Sequence, residues 1–274
     1  MIDDLIVIGG GAAGLCAAVY FKRENPNATV RILEAQPRVG KRLALTGNGR
    51  CNITNKNIRL SRYHGNDAEF CRLALEKYDT CFTESFFESI GVEFASEGDK
   101  VYPSSFQASS VVDCLRFAAD ESGVITHLET AVTNIQTTKN GYKIICGQMS
   151  FYSQNVIIAT GLLSGGERLG CDGKMLEVLK KAGFKTVKTT PAIVQIKTET
   201  DVVKQLKGVK TYCNATLLTD GERVRTEFGE VLFADDGLSG PPILLISRGV
   251  SFAKSQCEVT LDIMPDTDFN TLEE

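Results

Sequence analysis

The chain has 274 residues, of which 43% are hydrophobic and 23% charged, as is usual for a globular protein of one or two domains. Its net charge of −4, with no basic tract, argues against nucleic acid or an anionic membrane as a partner, and no apolar stretch is long enough to span a bilayer. Nine cysteines without a C-x-x-C pair predict reduced thiols in the cytoplasm, and two histidines give no basis for a metal site.

The first predicted elements form a strand–turn–helix. An apolar run at residues 5–8 predicts a buried strand, and a helix is predicted over 12–22. Between them Gly9, Gly11 and Gly14 have the spacing G-x-G-x-x-G, which suits a tight turn, close approach to a pyrophosphate and close helix–strand packing. The free N–H groups at Ala12 and Ala13 would then face phosphates.

A second strand is predicted over 29–33 and leads into Glu34 and Ala35. The carboxylate of Glu34 stands where it can accept hydrogen bonds from ribose hydroxyls. This order of strand, glycines, helix, strand and acid predicts a Rossmann-like nucleotide-binding unit. The alternative is an ordinary strand–turn–helix whose glycines serve packing alone.

Residues 36–55 show neither helical nor strand periodicity, apart from a short piece at 42–45. The segment has glycines at 40, 47 and 49 and many amide, hydroxyl and cationic side chains. A loop so rich in donors, directly after a nucleotide-binding unit, is placed to line a cofactor. The alternative is a polar surface loop.

The middle of the chain alternates helices and strands. Helices are predicted over 67–78, 83–90 and from Ser109 or Ser110 to about 121, with short strands at 92–94 and 100–103. Further strands are predicted over 124–128, 131–137 and 142–146, the last two joined by a turn at Asn140-Gly141.

A fully apolar strand is then predicted over 155–161, ending in Ala159-Thr160-Gly161. An apolar strand of this kind indicates burial on both faces in a parallel sheet, and its small-residue end lets a ligand approach. The alternative is a core strand with a small-residue turn. A loop at 165–173 and a helix at 175–182 follow.

Strand patterns dominate after residue 189. Strands are predicted at 193–196, 213–219, 224–228 and 257–263, with a hairpin turn at Asp220-Gly221. Residues 231–234 lead into a helix-start signal at Ser239 or Gly240 with Pro241, and the helix would continue through 243–247. The sequence therefore predicts an α/β protein with a nucleotide-binding domain at 1–188, built on a central parallel sheet, and a β-rich substrate or insertion domain at 189–274.

The chain resembles the two-dinucleotide-binding-domain flavoproteins, in particular the BaiN-like and aminoacetone-oxidase-like FAD-dependent oxidoreductases. The match rests on the glycine fingerprint, on Glu34 and on a series of short motifs in the family's order. These motifs are Gly40-Lys41-Arg42-Leu43, Thr46-Gly47-Asn48-Gly49-Arg50-Cys51-Asn52, Tyr102-Pro103, Ala159-Thr160-Gly161, Asp172-Gly173, Gly229-Glu230-Val231-Leu232-Phe233 and Gly237-Leu238-Ser239-Gly240-Pro241.

The resemblance implies FAD as the cofactor and a role for each motif. The glycine turn would hold the pyrophosphate and Glu34 the ribose, with Ala35 beside it. The 46–52 segment would lie along the phosphates and the isoalloxazine ring. The remaining implied contacts are Lys41 and Arg42 to the phosphates, the backbone of Ala131 and Val132 to the adenine, and Ala159, Thr160 and Gly161 beside the cofactor.

The chain departs from the family pattern at three places. Leu162 replaces a second glycine after Gly161, and Phe106-Gln107-Ala108 stands where a basic residue is frequent. The chain also ends at Glu274, before the family's return strand, so relative to the family the second domain is incomplete and the cofactor would lack one wall. This predicts weak or absent FAD binding as an alternative.

Three residues are the candidates for catalysis. Arg50 would stabilise a reduced, anionic flavin, and Asn52 would hydrogen-bond the flavin edge or order the loop. Cys51 is either a redox-active thiol whose pKa Arg50 lowers, or a buried packing residue. The expected activity is an FAD-dependent oxidoreductase acting on a small-molecule substrate.

The electron donor would be an amine, an alcohol or NAD(P)H, and the acceptor a small molecule or oxygen. Because the sequence has no second G-x-G-x-x-G, a nicotinamide would bind only transiently. Two further alternatives are an NAD(P)-dependent dehydrogenase on the same fold and a non-catalytic binding module.

Overall fold

The computed structural model describes residues 2–65, 67–166, 169–199 and 201–267. The chain forms two compact units, Met1–Thr186 and Val187–Glu274, and the division falls after residue 186, where the sequence predicted a boundary after 188. Each unit is described by itself.

The first unit begins with a strand, a helix and a strand, carries a small sheet in its middle and ends in four consecutive strands followed by a helix. Its elements are β1 (Asp3–Ile8), α1 (Ala12–Glu24), β2 (Val30–Leu33), β3 (Thr54–Asn55), α2 (Arg72–Lys77), α3 (Thr80–Glu88), β4 (Phe94–Glu97), β5 (Lys100–Pro103), α4 (Ala108–Glu121), β6 (Ile125–His127), β7 (Asn134–Thr138), β8 (Gly141–Cys146), β9 (Met149–Ile158) and α5 (Lys174–Lys181). Short 3₁₀ segments lie at Leu43–Gly49, Leu60–Arg62 and Ala68–Cys71.

The main sheet of this unit has six strands in the order β6-β2-β1-β9-β8-β7. Strands β6, β2, β1 and β9 are parallel, and β7, β8 and β9 form an antiparallel meander. Helices α1 and α4 pack on one face through Leu15, Val19, Val111 and Leu115, all of them buried. The predicted Rossmann-like fold with a central parallel sheet is therefore confirmed.

The prediction that the strand ending at Ala159 is buried on both faces was wrong. The strand exists, but β9 begins at Met149 and ends at Ile158, and the side chains of Ile157 and Ile158 are each 36% exposed. From Met149 to Ser153 this strand pairs with β8, and from Ser153 onward it pairs with β1, so the two partners overlap only at Ser153. Beyond Ser153 it pairs only with β1 among the described residues, so no second neighbour covers its apolar end.

Several boundaries also differ from the sequence-based ones. The helix predicted at 67–78 is a 3₁₀ turn followed by the short α2, and its Phe70 and Leu73 side chains are 85% and 79% exposed. The strand predicted from 131 begins at Asn134, so Ala131 and Val132 lie in the loop before β7. Helix periodicity alone did not distinguish a core-facing segment from a surface one.

The second unit is built on a five-stranded antiparallel sheet, as the β-rich pattern predicted. Its elements are β10 (Ile196–Lys197), α6 (Asp201–Gln205), β11 (Lys210–Thr219), β12 (Glu222–Phe233), β13 (Gly237–Ser239), α7 (Pro241–Phe252) and β14 (Cys257–Asp262). The strand order is β10-β13-β12-β11-β14, and α7 covers one face through Ile243 and Ile246. The strand predicted at 224–228 is part of a longer strand, β12, which continues to Phe233.

A charged cluster in the first unit links three parallel strands. Arg31 on β2 donates from Nε to Asp3 Oδ2 (2.7 Å) and from Nη2 to Asp3 Oδ1 (3.1 Å), and its Nη1 lies 2.5 Å from His127 Nε2. Burial is the main cause that lowers the pKa of His127, and the Arg31 charge lowers it further, while Asp3 partly offsets both. The neutral imidazole can accept a hydrogen bond from Arg31, whereas the imidazolium cannot.

This cluster makes stability depend on pH below neutrality. Because the folded-state pKa of His127 is lowered, the unfolded chain binds more protons as pH falls below about 6.5, and the free energy of unfolding falls with it. We expect the melting temperature to drop as pH falls from 7.5 to 5. His127→Gln, which keeps a hydrogen-bond acceptor without titrating there, should flatten that part of the curve. An unchanged slope in the variant would contradict this assignment.

Candidate cofactor site

A cleft of about 730 Å³ opens at the carboxyl ends of β1, β2 and β9 in the first unit. Its size lies in the range typical of small-molecule and cofactor sites. The residues that line it come from the glycine turn, the ends of β2 and β9, the loop after β2, the loop before β7 and the start of α5. They are Ile8, Gly9, Gly10, Gly11, Ala12, Ala13, Leu33, Glu34, Ala35, Gln36, Arg38, Gly40, Lys41, Arg42, Leu43, Thr46, Thr130, Ala131, Val132, Ile158, Ala159, Thr160, Gly161, Leu162, Leu169, Gly170, Cys171, Asp172, Gly173, Lys174 and Met175.

Each glycine of the fingerprint has a distinct physical requirement. A Cβ on Gly9, whose φ is +104°, would lie 2.7 Å from the carbonyl oxygen of Ala159. A Cβ on Gly14 would lie 1.9 Å from the carbonyl oxygen of Gly9, so only glycine lets α1 pack this closely on the turn. A Cβ on Gly11 would meet nothing within 4 Å. Gly11 therefore borders open space in the cleft.

The amino end of α1 faces this space without a local partner. Gly11 is the N-cap, no side chain caps the helix, and no acidic residue lies in its first turn. The first N–H groups of a helix carry partial positive charge and have no partner within the helix. The end of α1 can therefore bind an anion such as a diphosphate.

Glu34 is held beside this helix end by two backbone groups. Its Oε2 accepts from the N–H of Gly10 at 2.6 Å, and its Oε1 accepts from the N–H of Gln36 at 2.8 Å. A carboxylate has about four acceptor positions, so lone pairs remain for ligand hydroxyls. The role of Gly10 was not predicted, because it is the unspecified second residue of the fingerprint.

Two consecutive cations enter the cleft and have different partners. Lys41 Nζ donates to Gln36 Oε1 at 2.9 Å. Arg42 Nη1 donates to the carbonyl oxygen of Ser164 at 3.2 Å and lies 3.5 Å from Cys171 Sγ. The sequence predicted both cations but not the partners that orient them.

The start of α5 forms a further wall that the sequence analysis did not include. Gly173 is its N-cap with φ +69°, and Asp172 Oδ1 accepts from the N–H of Lys174 at 3.0 Å. The Asp172-Gly173 pair was part of the family resemblance, and an aspartate before a glycine is a usual helix-start signal. That signal could have identified this wall.

Most of the predicted cofactor residues line the cleft, but the 47–52 segment does not. Those that line it are Gly9, Gly11, Ala12, Ala13, Glu34, Ala35, Lys41, Arg42, Thr46, Ala131, Val132, Ala159, Thr160 and Gly161. Gly14 lies behind the turn, as its packing role requires. Gly47, Asn48, Gly49, Arg50, Cys51 and Asn52 lie outside the lining of this cleft.

Arg50 is instead stacked within the neighbouring small sheet. Its guanidinium lies 4.5 Å from the centre of the Tyr102 ring and 4.6 Å from that of Phe106, and it is ion-paired with Glu97. Asn48, Cys51 and Phe106 have φ values of +56°, +59° and +51°, in the left-handed region that non-glycine residues seldom adopt. Such backbone strain is frequent at functional sites.

The structure favours the packing interpretation of Cys51. The residue is 3% exposed, and burial raises the pKa of its thiol, although a hydrogen bond with Thr46 opposes this. The lowered pKa expected of a redox-active thiol is therefore contradicted, because the thiol is desolvated and Arg50 is paired with Glu97. Asn52, by contrast, is exposed.

The described ranges meet neither the requirements of a metal site nor those of a membrane-spanning helix. No group of three or more His, Cys, Asp or Glu side chains there is arranged to hold a metal ion. None of the helices described has the length and apolar character needed to cross a bilayer.

Comparison with known proteins identifies relatives across most of the chain. A 3-dehydro-bile acid delta(4,6)-reductase of Clostridium scindens is 32% identical over 263 residues, which cover 95% of this chain and 64% of that protein. A ribosomal RNA dihydrouridine synthase of Escherichia coli is 26% identical over 274 residues, covering 98% of this chain and 65% of that protein. The chain thus spans slightly less than two thirds of the length of these relatives.

A solved structure of the open conformation of a flavocytochrome c3 fumarate reductase overlaps 77% of this chain and 47% of that chain, with 16% identity and a TM-score of 0.49. A likeness at this level supports no conclusion about function. The model of the HI0933-like protein Rossmann domain, however, matches residues 3–240. The chain therefore belongs to the HI0933-like Rossmann-domain family, which confirms the resemblance to BaiN-like flavoproteins predicted from its sequence.

Proposed function

We propose that the cleft of the first unit binds FAD and that the protein is an FAD-dependent oxidoreductase. The observation that carries this proposal is the uncapped amino end of α1 beside a carboxylate that Gly10 and Gln36 hold in place. A diphosphate and a ribose are the neighbouring parts of an adenine dinucleotide that need these two kinds of partner.

The residues present fit this cofactor. Gly11 leaves space at the helix end, and Lys41 and Arg42 supply positive charge for a diphosphate. Glu34 would bind the ribose, and the backbone of Ala131 and Val132, next to it in the cleft, would face the adenine. The assignment of FAD rather than NAD rests on the family, since the adenosine half is common to both.

The names of two relatives suggest a reaction class. A delta(4,6)-reductase acting on a 3-dehydro compound and a dihydrouridine synthase are both named for removing a C=C bond in a ring. We infer that this protein reduces a C=C bond conjugated with a carbonyl group in a small-molecule substrate. When bound, FAD would supply hydride transfer from NAD(P)H to one alkene carbon, with a proton added at the other.

The chain's own residues would orient the cofactor and the substrate and exclude water, rather than form or break bonds themselves. Arg50 and Asn52 remain proposed neighbours of the flavin ring, although both lie outside the cleft lining and Glu97 pairs with the Arg50 guanidinium, and we assign Cys51 to packing. We further propose that the β-rich unit carries the substrate-facing surface and that the protein acts in the cytoplasm. NAD(P)H is proposed to bind transiently. Nucleic acid and membranes are not proposed as partners.

The test is a visible spectrum of the purified chain before and after added FAD. We expect the absorption bands of bound flavin in the spectrum. Under anaerobic conditions NADH or NADPH should bleach these bands, and a 4-ene-3-keto steroid should then restore them. Isothermal titration with NAD serves as the control for the dehydrogenase alternative. A chain that binds NAD but refuses FAD would contradict the proposal, and one that binds neither would support the non-catalytic alternative.

A further inference from the structure

One wall of the cleft is formed by a loop that contacts the side chain of Arg42 at several points. We name residues 161–166 and 169–173 the wall segment; it connects β9 to α5 and lies in the first unit. Arg42 Nη1 donates to the carbonyl oxygen of Ser164 at 3.2 Å and lies 3.5 Å from Cys171 Sγ. Residues at both ends of the wall segment therefore contact one guanidinium.

Glycines of the wall segment stand where this side chain passes. A Cβ on Gly161, whose φ is +70°, would lie 2.7 Å from Arg42 Nη1, and a Cβ on Gly165 would lie 3.5 Å from Arg42 Cδ. Gly161 thus leaves room for the guanidinium of Arg42, and Gly165 lies beside its Cδ. The backbone conformation of the wall segment and the position of Arg42 depend on each other.

Arg42 has donors left for a ligand. A guanidinium carries five N–H donors, and in the described part of the chain the hydrogen bonds found for Arg42 use only Nη1. Since Arg42 also lines the cleft, Nε and Nη2 can bind an anion while Nη1 holds the wall segment. A planar fork of this kind suits simultaneous contacts better than an ammonium does.

We propose that Arg42 is a positioning residue that couples diphosphate binding to the order of the wall segment. This inference rests on the proposed FAD function and assigns Arg42 a role beyond charge. An anion that holds the guanidinium in place also stabilises its hydrogen bond to Ser164 and so orders the wall segment. Conversely, an ordered wall segment holds Arg42 in the position that binds the anion. By linkage each event strengthens the other by the same factor.

Lys41 provides a matched control. It is the adjacent cation and lines the same cleft, but its Nζ donates to Gln36 Oε1 at 2.9 Å and no hydrogen bond joins it to the wall segment in the described structure. Arg42→Gln and Lys41→Gln each remove one positive charge from the cleft. Only the first removes the contact with Ser164 and Cys171.

The test is amide hydrogen exchange at Leu169 and Cys171, whose N–H groups donate to the carbonyl oxygen of Gly166 at 3.1 and 3.2 Å. We expect Arg42→Gln to speed this exchange about tenfold without FAD, the effect of losing a charged hydrogen bond. Lys41→Gln should change it much less, because Lys41 reaches the wall segment only through Gln36, whose side-chain amide lies beside Gly170. Added FAD should slow the exchange in the unmodified chain but not in Arg42→Gln.

Two further variants separate charge from geometry. Arg42→Lys keeps the charge, so it should recover part of the FAD affinity without the wall protection, and Gly161→Ala should lose the protection with Arg42 intact. Equal exchange in Arg42→Gln and the unmodified chain, or equal effects of the two glutamine variants, would overturn the inference. Absence of FAD binding by the unmodified chain would instead overturn the proposed function, so the two failures are distinguishable.

Discussion

Gly11→Val should abolish FAD retention while leaving the chain folded. The position has a φ of −80°, which valine adopts readily, and a Cβ there would meet no protein atom within 4 Å. The added side chain would instead occupy the space in front of the free N–H groups of α1, where the diphosphate is proposed to lie. We expect about a hundredfold loss of FAD affinity by fluorescence titration, with the melting temperature lowered by only a few degrees, the cost of valine at an N-cap.

Gly14→Ala is the matched comparison three residues further along. Its methyl group would lie 1.9 Å from the carbonyl oxygen of Gly9, so the helix and turn must separate. We expect this variant to lose about 3 kcal/mol of unfolding free energy, at the upper end for overpacking. If Gly11→Val retains FAD, the ligand binds elsewhere. If Gly14→Ala has normal stability, the close packing described for α1 is contradicted.

Asp3→Asn should strongly destabilise the first unit. The Asp3 side chain is 4% exposed and accepts two hydrogen bonds from Arg31, whose side chain is 15% exposed. Removing one partner of a buried pair leaves the other charge desolvated, at a cost of about 3 kcal/mol. Urea denaturation followed by circular dichroism measures this loss.

Glu177→Gln is the control for that measurement, because its partner Lys180 and the carboxylate itself are both solvent-exposed. We expect no measurable change there. The double substitution Asp3→Asn with Arg31→Met should recover part of the lost stability, since it removes the unpaired charge. If Asp3→Asn behaves like the surface control, the Arg31 pair contributes little to folding.

The first strand, helix and second strand were predictable because their signals are local. The apolar run before Gly9, the glycine spacing and the acid after β2 each depend on a few neighbouring residues, and the structure has them in that order. The cleft lining followed from the same logic, because carboxyl ends of parallel strands meet at one edge. The end of β9 was placed at the cleft by this argument, whereas Lys41 and Arg42 came from the donor-rich loop after β2 and from the family resemblance.

The environment of Arg50 was not predictable from its own segment. Its partners Glu97, Tyr102 and Phe106 are about fifty residues away along the chain and come together only through the pairing of β3, β4 and β5. The proximity of Arg50 to Cys51 in sequence suggested a lowered thiol pKa, but burial decided the outcome. The exposure of Ile157 was missed for a similar reason, since it depends on which strands flank β9.

That unpaired end of β9 has a practical consequence for handling the protein. Strand backbone with an open side and exposed isoleucines can recruit a strand from another molecule, which is a common route to precipitation at high concentration. Placing a lysine at position 157 would oppose such stacking, because like charges would face each other along the growing aggregate. It is the substitution we would choose first for keeping concentrated samples monodisperse.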